Sequence, residues 1–205
     1  MSADCAGSYS TAMIPGLIVG YHGCDAANCD DILRGKTAHL SFSENPYDWL
    51  GSGIYCWENS YSRAWEWAER RIAQLKKPGL RPAVLGILFR PGTCLDLTDS
   101  RDLDEVDAFA HSLNVAFRKA GVPLPENSGG QHNYDCFLIN SWGEEQARKG
   151  KVIDTVRGAF PEGVLIGEGK SAISRRTHIQ WAIRNTECIV GYFRPCRGDE
   201  PQRPD

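Results

Sequence analysis

Apolar residues along the chain predict short strands alternating with amphipathic helices. Leu17 to Tyr21 is a β-branched run that predicts a strand, and Ala83 to Phe89 is almost continuously apolar, as in a strand buried on both faces. Helical spacing predicts three helices, from Ala26 to Arg34, from Asn59 to about Lys76 and from Asp104 to Ala120. The second of these helices has an apolar face formed by Ala64, Trp67, Ala68, Ile72 and Leu75.

The last third of the chain has a different character. Tyr134 to Gly150 predicts a helix towards its charged end, while Cys136 to Ile139 are also compatible with the start of a strand. Val152 to Val156, Thr177 to Arg184 and Cys188 to Phe193 are strand-like segments separated by glycine-rich stretches. Because strands and helices mix without a regular β-α-β alternation, we expect the α+β class rather than a doubly wound sheet.

Length and composition predict one globular domain. A chain of 205 residues, of which 41% are hydrophobic, can bury a core within one domain. We expect this domain to span residues 14–195, with frayed polar ends from Met1 to Met13 and from Cys196 to Asp205. The formal net charge of -3 and the pI near 6.0 disfavour a dedicated non-specific nucleic-acid binder, which would usually be basic.

Cysteine usage and targeting signals bear on the compartment. None of the 8 cysteines lies in a C-x-x-C pair, which favours reduced thiols over disulfides or a metal site. No run approaches the roughly 18 consecutive apolar residues of a membrane span, and the N-terminus lacks the charged and apolar regions of a secretory signal. We therefore expect a cytoplasmic protein without a metal and without a membrane partner.

Two short segments carry residues suited to ligand binding. The first places His22 at a strand end beside Gly23, where a ligand can approach the backbone closely. The second runs from Gly51 to Tyr55, and its two glycines permit a sharp turn after which the Tyr55 ring offers a flat surface for stacking. Taken alone, each segment is also compatible with a structural histidine or a core aromatic residue.

The order of these segments resembles the ADP-ribosyltransferase superfamily, in particular the poly(ADP-ribose) polymerase and diphtheria-toxin-like enzymes. In that family a histidine-glycine pair precedes a short helix, a loop and a G-x-G-I-Y segment that leads into a helix beginning with serine and alanine. The matching segments here are Tyr21-His22-Gly23, Ile32-Leu33-x-Gly35, Gly51-Ser52-Gly53-Ile54-Tyr55 and Ser62-Arg63-Ala64. Residues 17 to 68 carry the resemblance, and beyond them it rests on the order of the elements.

The resemblance implies a third site residue on a late strand, usually glutamate in polymerising members and varied in mono-transferases. The strand predicted from Thr177 to Arg184 alternates well. One of its faces carries Ile179, Trp181 and Ile183, and the other carries His178, Gln180, Ala182 and Arg184. Gln180 is the candidate for the third position, and Glu168, Glu187 and His178 are its competitors.

The resemblance also implies split antiparallel β-sheets flanked by helices, and NAD as the co-substrate. The backbone of Gly23 would hold the nicotinamide amide, with Ser62 as a helper. His22 would bond a ribose hydroxyl of NAD, and Tyr55 would stack on nicotinamide. Because the neutral amide of Gln180 is not a general base near neutral pH, mono-ADP-ribosyl transfer is expected instead of polymer synthesis.

The macromolecule that accepts ADP-ribose is either a protein or a nucleic acid, and the sequence does not distinguish the two. The segment from about Gly158 to Arg176 lies where the family keeps its target-recognition loop, and its basic end is compatible with phosphate. A single domain without a targeting signal suits an intracellular toxin, with an inhibitory antitoxin protein as a partner, or a regulatory modifier. Three alternatives are an NAD glycohydrolase, an RNA 2'-phosphotransferase-like enzyme, and an inactive module that binds NAD or ADP-ribose.

Overall fold

The computed structural model describes residues 16–196, which form a sheet with helices on both faces. The strands are β1 (Ile18–Asp25), β2 (Ile54–Glu58), β3 (Pro82–Phe89), β4 (Cys94–Asp96), β5 (Thr155–Phe160), β6 (His178–Ile183) and β7 (Ile189–Phe193). The helices are α1 (Ala26–Leu33), α2 (Tyr61–Leu75), α3 (Ser100–Ala120) and α4 (Asn133–Arg148), with a short 3-10 turn at Thr186–Cys188. The ends predicted to fray lie outside the described residues, apart from Cys196.

All the named strands join one 7-stranded sheet in the order β4-β5-β6-β2-β1-β3-β7. Only β4 and β5 pair in parallel, because α3 and α4 connect them as a crossover long enough for that direction. The α+β class is confirmed. Separate antiparallel sheets were expected, but β2 pairs with β1 on one side and with β6 on the other, so the sheet is continuous and mixed.

Two layers of side chains cover the two faces of the sheet. On one face, Trp181 and Ile183 pack with Cys29 and Ile32 of α1. On the other face, Ala182 packs with residues of α3 and α4, and α2 packs through Ala64 against β2 and β3. The alternation predicted for β6 is therefore confirmed.

Several boundaries differ from the sequence prediction. Cys136 to Ile139 belong to α4, because both ends of this segment are buried on one side of that helix. Helix α3 begins earlier than expected, because the Asp99 carboxylate accepts a hydrogen bond from the backbone N–H of Arg101 at 2.9 Å and caps it. Strand β5 begins near the end of the strand predicted at Val152 to Val156. Strand β4 was not predicted, since three residues carry too little alternation.

The described residues also bear on cysteine chemistry and membranes. Seven of the cysteines carry free thiols, and Cys5 lies outside the described range. Residues 16–196 contain no group of three or more His, Cys, Asp or Glu side chains placed to hold a metal ion. No helix in the same range is long and apolar enough to cross a bilayer.

Candidate functional site

The site is built around the point where the pairing of β1 with β2 stops. The two strands pair only at Gly20 with Glu58 and at Tyr21 with Trp57. In a longer antiparallel ladder, the next bonded pair would join Gly23 to the residue two before Trp57, which is Tyr55. Instead, His22 Nδ1 lies 2.7 Å from the carbonyl oxygen of Tyr55. The imidazole therefore takes the place of a strand-to-strand hydrogen bond.

This contact fixes the tautomer of His22. A carbonyl can only accept, so Nδ1 carries the proton and Nε2 keeps a lone pair. Burial lowers the pKa of His22, and the hydrogen bond to Tyr55 offsets only part of that shift. The ring is therefore neutral near pH 7 and offers Nε2 as a hydrogen-bond acceptor.

The same break leaves the backbone of Gly23 facing the gap between the strands. Backbone groups of a strand point to alternate sides, so those of Gly23 point the same way as the Val19 carbonyl. That carbonyl accepts from the N–H of Asn59, just beyond the end of β2, at 3.0 Å. A Cβ atom at position 23 would collide with the Ala64 carbonyl of α2, so only glycine fits between β1 and α2.

A cleft of about 630 Å³ opens beside His22 and Gly23, a size typical of small-molecule sites. Its walls are the end of β1, the start of α1, the loop Ser41–Asn45 and the second half of α2. The apolar face predicted for α2 divides between core and cleft: Ala64 is buried in the core, whereas Trp67, Ile72 and Leu75 line the cleft together with the buried Ala68. Arg71 and Lys77 lie beside them on the same wall.

Tyr55 does not line this cleft. Its ring packs with the core cluster beneath α3 and α4. Its hydroxyl donates to the Gly51 carbonyl at 2.8 Å and accepts from the Leu50 N–H at 2.9 Å. Tyr55 therefore contributes in two ways, by anchoring His22 through its carbonyl and by anchoring the end of the cleft loop through its hydroxyl.

Two side chains that the sequence did not indicate complete this anchor. Asn140 of α4 accepts from the Ser52 N–H at 2.9 Å, and Arg184 donates to the Leu50 carbonyl at 3.2 Å. Gly51, with φ of 74°, leaves no room for a Cβ between them. We call this group, Leu50 to Ser52 with Tyr55, Asn140 and Arg184, the loop anchor. No periodic pattern in the sequence links α4, or the residue that follows β6, to this turn.

Removing the Tyr55 hydroxyl tests the loop anchor directly. We expect Tyr55→Phe to lower the free energy of unfolding by about 1–3 kcal/mol, because a partly buried Leu50 N–H loses its acceptor. Denaturant titration measures the change. Tyr47→Phe is the matched control, because Tyr47 is exposed, and it should leave the stability unchanged. Equal stabilities for the two variants would contradict this role of the hydroxyl.

Ser62 and Gln180 also lie outside the walls of the cleft. Ser62 is exposed on α2, while its neighbour Arg63 is buried and forms ion pairs with Glu66 and Glu162. The pair with Glu162 holds α2 against the segment 161–177 that leads into β6, whereas the pair with Glu66 lies within α2. Gln180 pairs across the sheet with Trp57, which in turn pairs with the residue before His22. At about 4.8 Å per strand, Gln180 therefore lies about 10 Å from β1.

The three competitors for the third position are less suitable. Glu168 lies in an exposed turn with φ of 56°, and Glu187 is exposed in the 3-10 turn before β7. His178 is buried, and its Nδ1–H donates to the Arg176 carbonyl at 2.6 Å. Burial lowers the pKa of His178, so this ring is neutral as well. None of the three lines the cleft.

Comparison with known proteins finds no relative that shares this site. The chain matches no family model, no curated protein and no solved structure.

Proposed function

We propose that the chain is an NAD-dependent mono-ADP-ribosyltransferase, which releases nicotinamide and transfers ADP-ribose to a macromolecule. The observation that carries the proposal is the break between β1 and β2, where a neutral His22 replaces a ladder hydrogen bond and keeps Nε2 free as an acceptor. The order of motifs in residues 17 to 68 supports the same family. In this proposal NAD is a co-substrate that the reaction consumes.

The nicotinamide amide has one acceptor oxygen and an NH2 donor. In the proposed complex, it pairs with the N–H and C=O of Gly23, which face the gap between the strands. The apolar wall of Trp67, Ile72 and Leu75 suits the flat rings of a dinucleotide. Arg71, on the same wall, is placed to offset the charge of the two phosphates.

His22 positions the ribose whose bond to nicotinamide breaks. Nε2 accepts a hydrogen bond from a ribose hydroxyl and so holds the sugar while positive charge develops on it. The nicotinamide leaves with the electron pair of the glycosidic bond and becomes neutral. Tyr55 acts through its carbonyl on His22 and through the loop anchor, while its ring packs in the core and does not line the cleft.

The acceptor attacks the ribose carbon that nicotinamide leaves, without help from a carboxylate at position 180, and gives up its proton to solvent. The Gln180 amide donates and accepts hydrogen bonds but does not remove a proton near neutral pH. A single transfer to an acceptor that is already nucleophilic fits this site better than polymer growth. We place the activity in the cytoplasm, as a toxin or a regulatory modifier, and the free thiols agree with a reducing compartment.

The test is incubation of the purified protein with tagged NAD, alone and with a cell lysate. We expect release of nicotinamide and a labelled macromolecule. Digestion of the labelled lysate with protease or with nuclease then identifies the acceptor class. Release without labelling would favour an NAD glycohydrolase. If neither nicotinamide release nor labelling occurs, the enzyme hypothesis is refuted. Calorimetry with NAD and ADP-ribose would then test a pure binding module.

A further inference from the structure

We infer that Trp49 is a positioning residue for Gln180, which turns the amide oxygen of Gln180 towards the indole and leaves its NH2 donors for the site. This inference rests on the proposed function. Trp49 Nε1 lies 2.6 Å from Gln180 Oε1. An indole N–H only donates, so its partner on the glutamine is the carbonyl oxygen. The NH2 group of Gln180 therefore remains for a ligand, and no group in residues 16–196 accepts a hydrogen bond from it.

The Trp49 ring is held in place by packing as well as by this hydrogen bond. Gly158 lies beside Gln180 in the neighbouring strand, and its missing side chain leaves the space that the edge of the Trp49 ring occupies. The ring also packs against Phe160, with centroids 4.9 Å apart. The indole thus lies over β5 and β6 in one orientation, which in turn fixes the orientation of the Gln180 amide.

The position of Trp49 in the chain connects Gln180 to the cleft. Ser43 and Asn45 line the cleft, and the Asp48 carboxylate accepts hydrogen bonds from the Ser43 hydroxyl and from the Asn45 N–H. Trp49 follows directly, and the loop anchor begins at the next residue. A ligand that contacts the loop at Ser43 is therefore linked through one short turn to Gln180. Gln180 does not line the cleft itself and is connected to it through Asp48 and Trp49.

Presentation of the NH2 group of Gln180 has a chemical consequence. Two N–H groups of Gln180 can bind a lone pair of a ribose oxygen or an anionic oxygen of the acceptor, but they cannot orient an O–H group by accepting from it. Gln180→Glu would keep the bond from Trp49, because a carboxylate also accepts. The atom that does not bond Trp49 would change from the NH2 nitrogen, a donor, to a carboxylate oxygen, an acceptor. The Gln180→Glu substitution therefore separates the bond from Trp49, which it keeps, from the donor group that Gln180 offers to a ligand, which it removes.

The experiment is a double-mutant cycle with Trp49→Phe and Gln180→Ala, assayed by nicotinamide release. Trp49→Phe keeps an aromatic side chain but removes the indole N–H together with the outer ring edge that lies over Gly158, and the double-mutant cycle separates the part of the effect that depends on Gln180. We expect it to lower kcat about five- to tenfold, the effect of one hydrogen bond, with little change in KM for NAD. In the Gln180→Ala background the same substitution should have no further effect. Additive losses in the double variant would overturn the inference.

A spectroscopic readout separates this inference from the proposed function. The indole N–H resonance of Trp49 is identified by its loss in Trp49→Phe. We expect it to move in Gln180→Ala, which removes its acceptor, and to stay close to its position in Gln180→Glu, while the Trp65 indole resonance is unchanged in both. An unmoved Trp49 resonance in Gln180→Ala would overturn the inference. Absence of nicotinamide release from the wild type would refute the proposed function alone.

Discussion

Replacing His22 with asparagine should lower nicotinamide release at least about 100-fold, the usual effect of removing one well-placed hydrogen-bonding group from an active site. The asparagine amide can still donate to the Tyr55 carbonyl, as Nδ1–H does in the wild type. It has no atom at the position of Nε2, so the ribose hydroxyl loses its acceptor. Steady-state assays with NAD measure the change in kcat and KM.

The matched control for this variant is His111→Asn. His111 lies exposed on α3, away from the cleft, so this variant should keep wild-type activity. Denaturant titration should show that His22→Asn remains folded, because the bond to Tyr55 is retained. A folded His22→Asn protein with wild-type activity would show that Nε2 takes no part in the reaction. His22→Ala should lose both activity and stability.

Gly23→Ala should have the largest effect on stability, a loss of about 3 kcal/mol or more in the free energy of unfolding. The new methyl group would collide with the Ala64 carbonyl and lie 3.0 Å from the Ala68 nitrogen. Both are backbone atoms of α2, so no side chain can turn aside, and the helix must move away from β1. Overpacking of this kind typically costs about 1–3 kcal/mol even where neighbours can adjust.

Gly191→Ala is the control, because Gly191 lies within β7 and a Cβ there would have no neighbour within 4 Å. It should be neutral or gain up to about 1 kcal/mol, since alanine loses less backbone entropy than glycine in a strand. Denaturant titration compares the two variants, and calorimetry with ADP-ribose reports whether the displaced α2 weakens binding. Similar stabilities for Gly23→Ala and Gly191→Ala would contradict the close contact between β1 and α2.

The sequence predicted what local patterns determine. Period-two alternation located β6 and assigned its faces, and helical spacing located α2 and most of α3. Helical spacing could not distinguish core residues from cleft-wall residues, because apolar side chains such as Trp67 and Leu75 are expected in both places. Their position became visible only when the loop that faces them was placed.

The candidate site was only partly predictable, because its decisive contacts are not local. His22 and Gly23 were selected from a motif, and the structure places both beside one cleft. The break in the ladder that gives His22 its tautomer depends on the register of two strands, which no single segment encodes. Trp49 and Gln180 are 131 residues apart, and no sequence pattern indicated that they meet.

The short ladder between β1 and β2 also affects how the chain can diverge. His22 and Tyr55 meet through strand register, so the intervening segment does not hold them together. The entropy of closing a loop grows slowly with its length, and Pro46 and Tyr47 are exposed and do not line the cleft. Insertions or deletions at that tip can accumulate over evolution while the histidine keeps its partner. Distant relatives would then share the geometry of this pair long after the spacing between the two residues has drifted.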